Sequence, residues 1–179
     1  MTTMPPDCPP GAGPVDAAAM RATMGRFATG VAVVTTSAAD GPHGMTVNSL
    51  TSVSLSPPLI LVCLTTGART TDAVLARGRF ALNVLSARQE PLALRFARRG
   101  ENHFAGLPVT TGSHAVPVIP DALAHLECAV HSALPAGDHH VVLGSVLTTC
   151  ARDGDPLGFV GGRFSDVVDR GHDPVPWFF

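Results

Sequence analysis

The 179-residue sequence contains neither lysine nor tyrosine. Without lysine there is no phosphate-loop Gly-Lys-Ser/Thr and no Schiff-base amine, and a Tyr-Lys catalytic pair is doubly excluded. Charge is also sparse, at 15% of residues with a formal net charge of -2, and the arginines are scattered except at Arg95, Arg98 and Arg99. That distribution gives no footprint for a nucleic-acid partner. The longest purely apolar run, Leu59 to Leu64, falls far short of the roughly 18 residues needed to span a bilayer. No membrane partner is expected. Also missing are Gly-x-Gly-x-x-Gly, Gly-x-Ser-x-Gly and His-Glu-x-x-His, which leaves a Rossmann site, a hydrolase elbow and a zincin without support. An enzyme with so little chemistry of its own must borrow it, and a bound organic cofactor is the natural source.

Cysteine is scarce too: Cys8, Cys63, Cys128 and Cys150 are widely spaced with no Cys-x-x-Cys. Three of them lie among strand-like apolar residues, which fits reduced, buried thiols in a cytoplasmic protein. Residues 1–15 open on a Pro- and Gly-rich stretch with no basic residue before Arg21, unlike a secretory signal. They are expected to be a disordered tail and residues 167–179 a C-terminal tail, leaving one domain over 16–166.

Turn formers and β-branched residues are abundant, with 18 Gly and 16 Pro. Asp16 can cap a helix carrying Ala17, Met20, Met24 and Phe27 at three- and four-residue spacing, ended by Gly30. Strands are expected at Val31–Thr36, Gly44–Val47, Leu50–Leu55, Leu59–Leu64, Phe80–Leu85, Leu123–Ser132, Val141–Thr149 and Leu157–Val160. A short helix over Thr71–Gly78 has Thr70 or Thr71 as its cap. A Ser86-x-x-Gln89 capping box opens another that runs to Gly100. Residues 102–121 show no sustained period and are expected to be a loop with short extended pieces. About seven strands with hairpin-like connections predict a mainly β fold with a few helices, an antiparallel barrel rather than a doubly wound sheet.

Three segments could carry chemistry. Thr46, Asn48, Ser52 and Ser54 fall on alternate positions and would share one face of a strand; this stripe is either a ligand-binding surface or a solvated sheet face. Ala68-Arg69-Thr70-Thr71 precedes a helix and reads either as an anion site or as an ordinary N-cap. Gly137-Asp138-His139-His140 enters a strand, where adjacent histidines point to opposite faces. The remaining histidines show no ligand-like spacing with this pair, so no metal site is expected.

Together these segments resemble the flavin reductase family, the small reductases of two-component monooxygenases. The matching residues run in order from Met20 to Phe164: Phe27-Ala28-Thr29-Gly30-Val31, Thr46-x-Asn48-Ser49, Ser52-Val53-Ser54-Leu55-x-Pro57-Pro58-Leu59, Arg69-Thr70, Phe80-x-x-Asn83-Val84-Leu85, Arg95-Phe96-Ala97, Phe104-Ala105-Gly106, Glu127-Cys128, Gly137-Asp138-His139, Gly144-x-Val146 and Gly162-Arg163-Phe164. Within the family the chain looks most similar to reductases of actinomycete aromatic polyketide pathways. The resemblance implies an FMN-binding split β-barrel, usually a homodimer, that transfers hydride from NADH or NADPH to FMN or FAD and supplies a partner monooxygenase. It further implies that Thr46, Val47, Asn48, Ser49, Ser52 and Val53 contact the isoalloxazine and ribityl parts. Arg69 and Thr70 would hold phosphate, while His139, Gly162 and Arg163 would face the pyridine nucleotide. Relatives often carry Ser where this chain has Ala68. No side chain is expected to act as a catalytic acid, base or nucleophile, because hydride passes directly between the two cofactors.

Overall fold

A computed structural model describes residues 15–100, 102–169 and 171. Apart from Val15, the expected N-terminal tail lies outside the described residues, as do 170 and 172–179 of the C-terminal one. In chain order the elements are α1 (Ala17–Met24), β1 (Thr29–Gly30), β2 (Ala32–Ala38), β3 (Gly41–Val47), β4 (Thr51–Leu55), β5 (Pro58–Thr65), α2 (Arg69–Arg77) and β6 (Arg79–Val84). A 3-10 turn (Ala87–Gln89) then leads into α3 (Glu90–Ala97), followed by β7 (Thr110–Thr111), β8 (Pro117–Val118), β9 (Ala124–Ala136), β10 (His139–Ala151), β11 (Leu157–Val160) and β12 (Arg163–Asp166).

Seven strands form one antiparallel sheet in the order β3-β2-β6-β9-β10-β5-β4. Its two edge strands, β3 and β4, are consecutive in the chain, and β3 also meets β5. The sheet therefore rolls into a barrel whose seam lies at residues 48–50. Period-2 alternation sorts β2 between two cores. Ala32 and Val34 join Val62, Leu64, Phe80, Leu82 and Val142 inside the barrel, whereas Val31 and Val33 pack with Phe96, Phe104, Ile119 and Leu157 beneath α3. A glycine is required at 144, since a Cβ there would stand 2.7 Å from the Phe80 ring.

Several boundaries differ from the sequence expectation, each for a local reason. Helix α1 is capped by Asp16 but stops at Gly25, whose N–H donates to the Arg21 carbonyl at 2.8 Å and whose own carbonyl accepts from Gly161 N–H at 2.7 Å. Residues 29–30 then pair with β11. The Ser86–Gln89 capping box forms, but on the 3-10 turn, and α3 ends at Ala97 rather than Gly100. Strands β9 and β10 are longer than expected because Gly137, at φ +62°, lets the chain reverse across Gly137-Asp138 alone. The β7–β8 pair supplies the short extended pieces expected within residues 102–121, whereas the sequence pattern missed β12. That strand follows a Gly161-Gly162 turn in which both residues have positive φ.

Candidate functional site

A pocket of about 740 Å³ opens between the N-terminal end of α2, strand β3 and the C-terminal end of α3. Thr46, Arg69 and Thr70 line it together, so two segments distant in sequence converge. Thr46 is fixed by its hydroxyl, which donates to the Ala93 carbonyl of α3 at 2.7 Å. Arg69 and Thr70 open helix α2, and Thr70 is 6% exposed.

The expected cap of α2 is corrected. Neither Thr70 nor Thr71 serves; the N-cap is Ala68, which has no side-chain oxygen to offer. Thr71 instead donates to the Thr65 carbonyl at 2.7 Å, tying the helix to the end of β5. The first-turn N–H groups have no intrahelical acceptor, and a helix start of this kind favours an anion. The guanidinium of Arg69, the hydroxyl of Thr70 and these amides form a donor set suited to a phosphate. At the pocket rim His43 and Asp40 pair at 2.8 Å, which holds the exposed Asp40 carboxyl below its ordinary value.

The single polar stripe is also corrected. Thr46 ends one edge of the sheet while Ser52 and Ser54 lie on the opposite edge, because the chain leaves β3 after Val47 and crosses the seam. A bulge at Val53 breaks the alternation within β4 as well. Val47 is buried in the barrel core, so only its backbone faces any ligand. Asn48 is exposed and lines a smaller cavity of about 120 Å³ with Gly30, Leu50 and Val84. Ser49 spends its hydroxyl on Cys63 of β5. Ser52 and Val53 lie exposed on the edge strand.

His139 begins β10, half-exposed, with Nδ1 at 2.7 Å from Asp138 Oδ1 and Nε2 at 3.4 Å from Thr65 Oγ1. Thr65 itself lines the main pocket, which sets His139 one residue behind the rim. The His139 hydrogen bond, with the His139 and Arg21 charges adding to it, keeps the exposed Asp138 carboxyl below its usual value. Gly162 and Arg163 are exposed at the β11–β12 turn. Helix α1 relates the two regions, since its Arg21 acts on Asp138 and its Gly25 holds Gly161.

Two residues quoted only as parts of the resemblance prove to be buried organisers. Asn83 is fully buried, donates to Val33 carbonyl (2.9 Å) and Thr35 hydroxyl (3.0 Å), and accepts from Ile119 N–H (2.8 Å) and His125 (3.2 Å). The Glu127 carboxylate accepts from the N–H groups of Ser113 and His114 at 2.9 and 2.7 Å. A polar residue interrupting an apolar strand was the available signal for both.

Residues 24–167 match the family described as flavin reductase like domain. The chain belongs to that family. It is 46% identical over 144 residues to the FMN reductase (NADH) SmoA of Agrobacterium fabrum, covering 80% of this chain and 82% of the relative. It is 34% identical over 166 residues to HsaB, the reductase subunit of a flavin-dependent monooxygenase of Mycobacterium tuberculosis, covering 91% of this chain and 89% of HsaB. Among solved structures it is similar to the Streptomyces globisporus NADH:FAD oxidoreductase SgcE6, in complex with NAD and FAD fragments. That match has a TM-score of 0.83 at 40% identity, covering 88% of this chain and 96% of the other. The family and these neighbours agree with the antiparallel split β-barrel described above.

Proposed function

We propose that this chain is an NAD(P)H-dependent flavin reductase that takes FMN or FAD as a substrate and supplies reduced flavin to a partner flavin-dependent monooxygenase. The observation that carries the reading is the convergence of Thr46, Arg69, Thr70 and the uncapped start of α2 on one pocket. Its volume falls within the roughly 300–1,000 Å³ of ordinary ligand sites. Arg69, Thr70 and the α2 amides hold the flavin phosphate. Thr46 to Ser49, with Ser52 and Val53, face the ring and ribityl chain, with Val47 acting through its backbone and Ser49 through its N–H. His139 positions the pyridine nucleotide, steadied by Asp138 and Thr65, and Gly162 and Arg163 lie on the nucleotide side.

When both cofactors are bound they supply the chemistry, a hydride passing from nicotinamide C4 to flavin N5, so the protein needs no nucleophile of its own. Its task is to bind and to stack the two rings at reacting distance. That accounts for the missing catalytic signatures. Similarity to HsaB, a reductase subunit of a flavin-dependent monooxygenase, supports the monooxygenase partner. Residues 16–166 act as one domain of a cytoplasmic protein that pairs as a homodimer, and the exposed apolar side chains of Val53 and Leu55 on the edge strand β4 support the pairing.

The test is NADH and NADPH oxidation by purified protein with and without FMN, FAD or riboflavin. A rate that saturates with free flavin is expected. Oxidation without added flavin would make it a tightly held prosthetic group, and no oxidation under any condition would leave a non-catalytic flavin-binding module.

A further inference from the structure

Resting on the reductase reading above, we infer that Asp40 is a counter-charge at the mouth of the pocket: its carboxylate weakens the hold on the flavin phosphate and so keeps the flavin exchangeable. The residue belongs to no part of the phosphate donor set. It stands in the turn between β2 and β3, whose ladder closes at Ala38 and Gly41, and that turn brings it onto the same cavity lining as Arg69 and Thr70. Among the described residues it is the one carboxylate on a lining whose other charged or titratable side chains are arginines and histidines.

The carboxylate is both held and ionised. Nε2 of His43, on β3, lies 2.8 Å from Asp40 Oδ1, and the His43 side chain is only 13% exposed while that of Asp40 is 68% exposed. The acid is thus tethered from the protein side and left open toward solvent at the rim. The His43 hydrogen bond, with the Arg69 charge adding to it, holds the carboxyl below its ordinary value, so it carries its charge at neutral pH. Coulombic action is mutual. Since the Arg69 cation acts on Asp40, an anion seated beside Arg69 lies within the field of the Asp40 carboxylate.

The turn itself does not call for that charge. Gly41 takes the positive φ of +121°, and asparagine suits the position before such a glycine as well as aspartate does. An asparagine oxygen could also accept from His43. What aspartate adds is a negative charge, and like charges set close together oppose binding. A protein that stored its flavin would gain nothing from this, whereas one that passes flavin on must let it go.

The experiment is an equilibrium titration of FMN and riboflavin, followed by flavin fluorescence, on the native protein and on Asp40→Asn, at about pH 8, above the ordinary range of imidazole titration. The substitution keeps the side-chain shape, the turn preference and an acceptor for His43, and removes the charge alone. FMN should bind about threefold tighter to the variant at about 10 mM salt, while uncharged riboflavin stays within about 1.5-fold, as expected of one exposed charge acting through solvent. In about 1 M salt, where charges are screened beyond about 3 Å, the gain for FMN should vanish. An FMN affinity that is unchanged or weaker in the variant, a gain shared by riboflavin, or a gain that persists in high salt overturns the counter-charge while leaving the reductase reading intact. Failure of the native protein to bind any flavin would sink both together.

Discussion

The Ser49 hydroxyl donates to the Cys63 carbonyl at 3.1 Å and accepts from the Cys63 N–H at 3.0 Å. One side chain thus does what a paired strand would do, bridging the seam between the two edges of the barrel where β3 has ended and β4 has not begun. Ser49→Ala leaves two backbone groups of β5 without that partner, and the expected cost is about 1–3 kcal/mol, read from urea unfolding. An unchanged midpoint would mean that the seam is held elsewhere.

A larger loss is expected at Asn83, whose amide ties β2, the loop before Ile119 and His125 into one buried network. Asn83→Ala orphans the Ile119 N–H and removes the side-chain bonds to Val33 and Thr35 at a fully buried site, costing about 2–5 kcal/mol. Asn83→Asp is expected to fail as well, because a carboxylate cannot donate to Val33 or Thr35. Denaturant midpoints of the two variants check this, and a tolerated Asn83→Asp would show that only the acceptor half matters.

How far these features could be read in advance follows from the range over which each is decided. Strands β2, β5 and β6 were legible because alternation and β-branching act locally, and Asp16 and the Ser86–Gln89 box were legible because caps span three residues. The supposed stripe from Thr46 to Ser54 failed because strand pairing is non-local: nothing between Val47 and Thr51 tells that the chain crosses from one sheet edge to the other. Arg69 and Thr46 could be named, yet only the folded barrel brings them to one pocket. Thr71 looked like a cap because hydroxyls at helix starts usually are, but its bond to Thr65 wins.

Stability should fall on mild acidification through His125. Burial, with Arg152 nearby, lowers its pKa below the ordinary 6.5, and Glu127 opposes this only in part. The unfolded chain therefore takes up the proton first, so stability is fully present above about pH 6.5 and is lost as pH drops from there toward the depressed folded value. Urea midpoints measured from pH 7.5 down to 5.5 should decline, and His125→Gln should flatten that slope. A slope unchanged in the variant would assign the effect to another group.

The Cys128 thiol should be inert in the folded protein. Burial, with the Glu127 charge beside it, pushes its pKa up to about 12, so almost no thiolate exists at neutral pH. Among the described cysteines Cys150 is exposed and should label first with a thiol reagent, Cys128 only after unfolding. Peptide mapping of a time course separates them, and early labelling of Cys128 would mean that the barrel opens readily.

Arg69 and His139 should separate the two ligands kinetically. Arg69→Ala removes a guanidinium from the start of α2, where only a phosphorylated flavin benefits, so the KM for FMN should rise about tenfold or more while that for riboflavin barely moves. His139→Ala removes a ring held between Asp138 and Thr65, behind the pocket rim, and should raise the KM for NADH with little effect on either flavin. The paired comparison matters because a general loss of folding would move all three constants together. If riboflavin and FMN suffer equally in Arg69→Ala, the arginine is not at the phosphate. If His139→Ala damages flavin binding and spares NADH, the histidine belongs to the flavin side of the site and the nucleotide must enter from elsewhere.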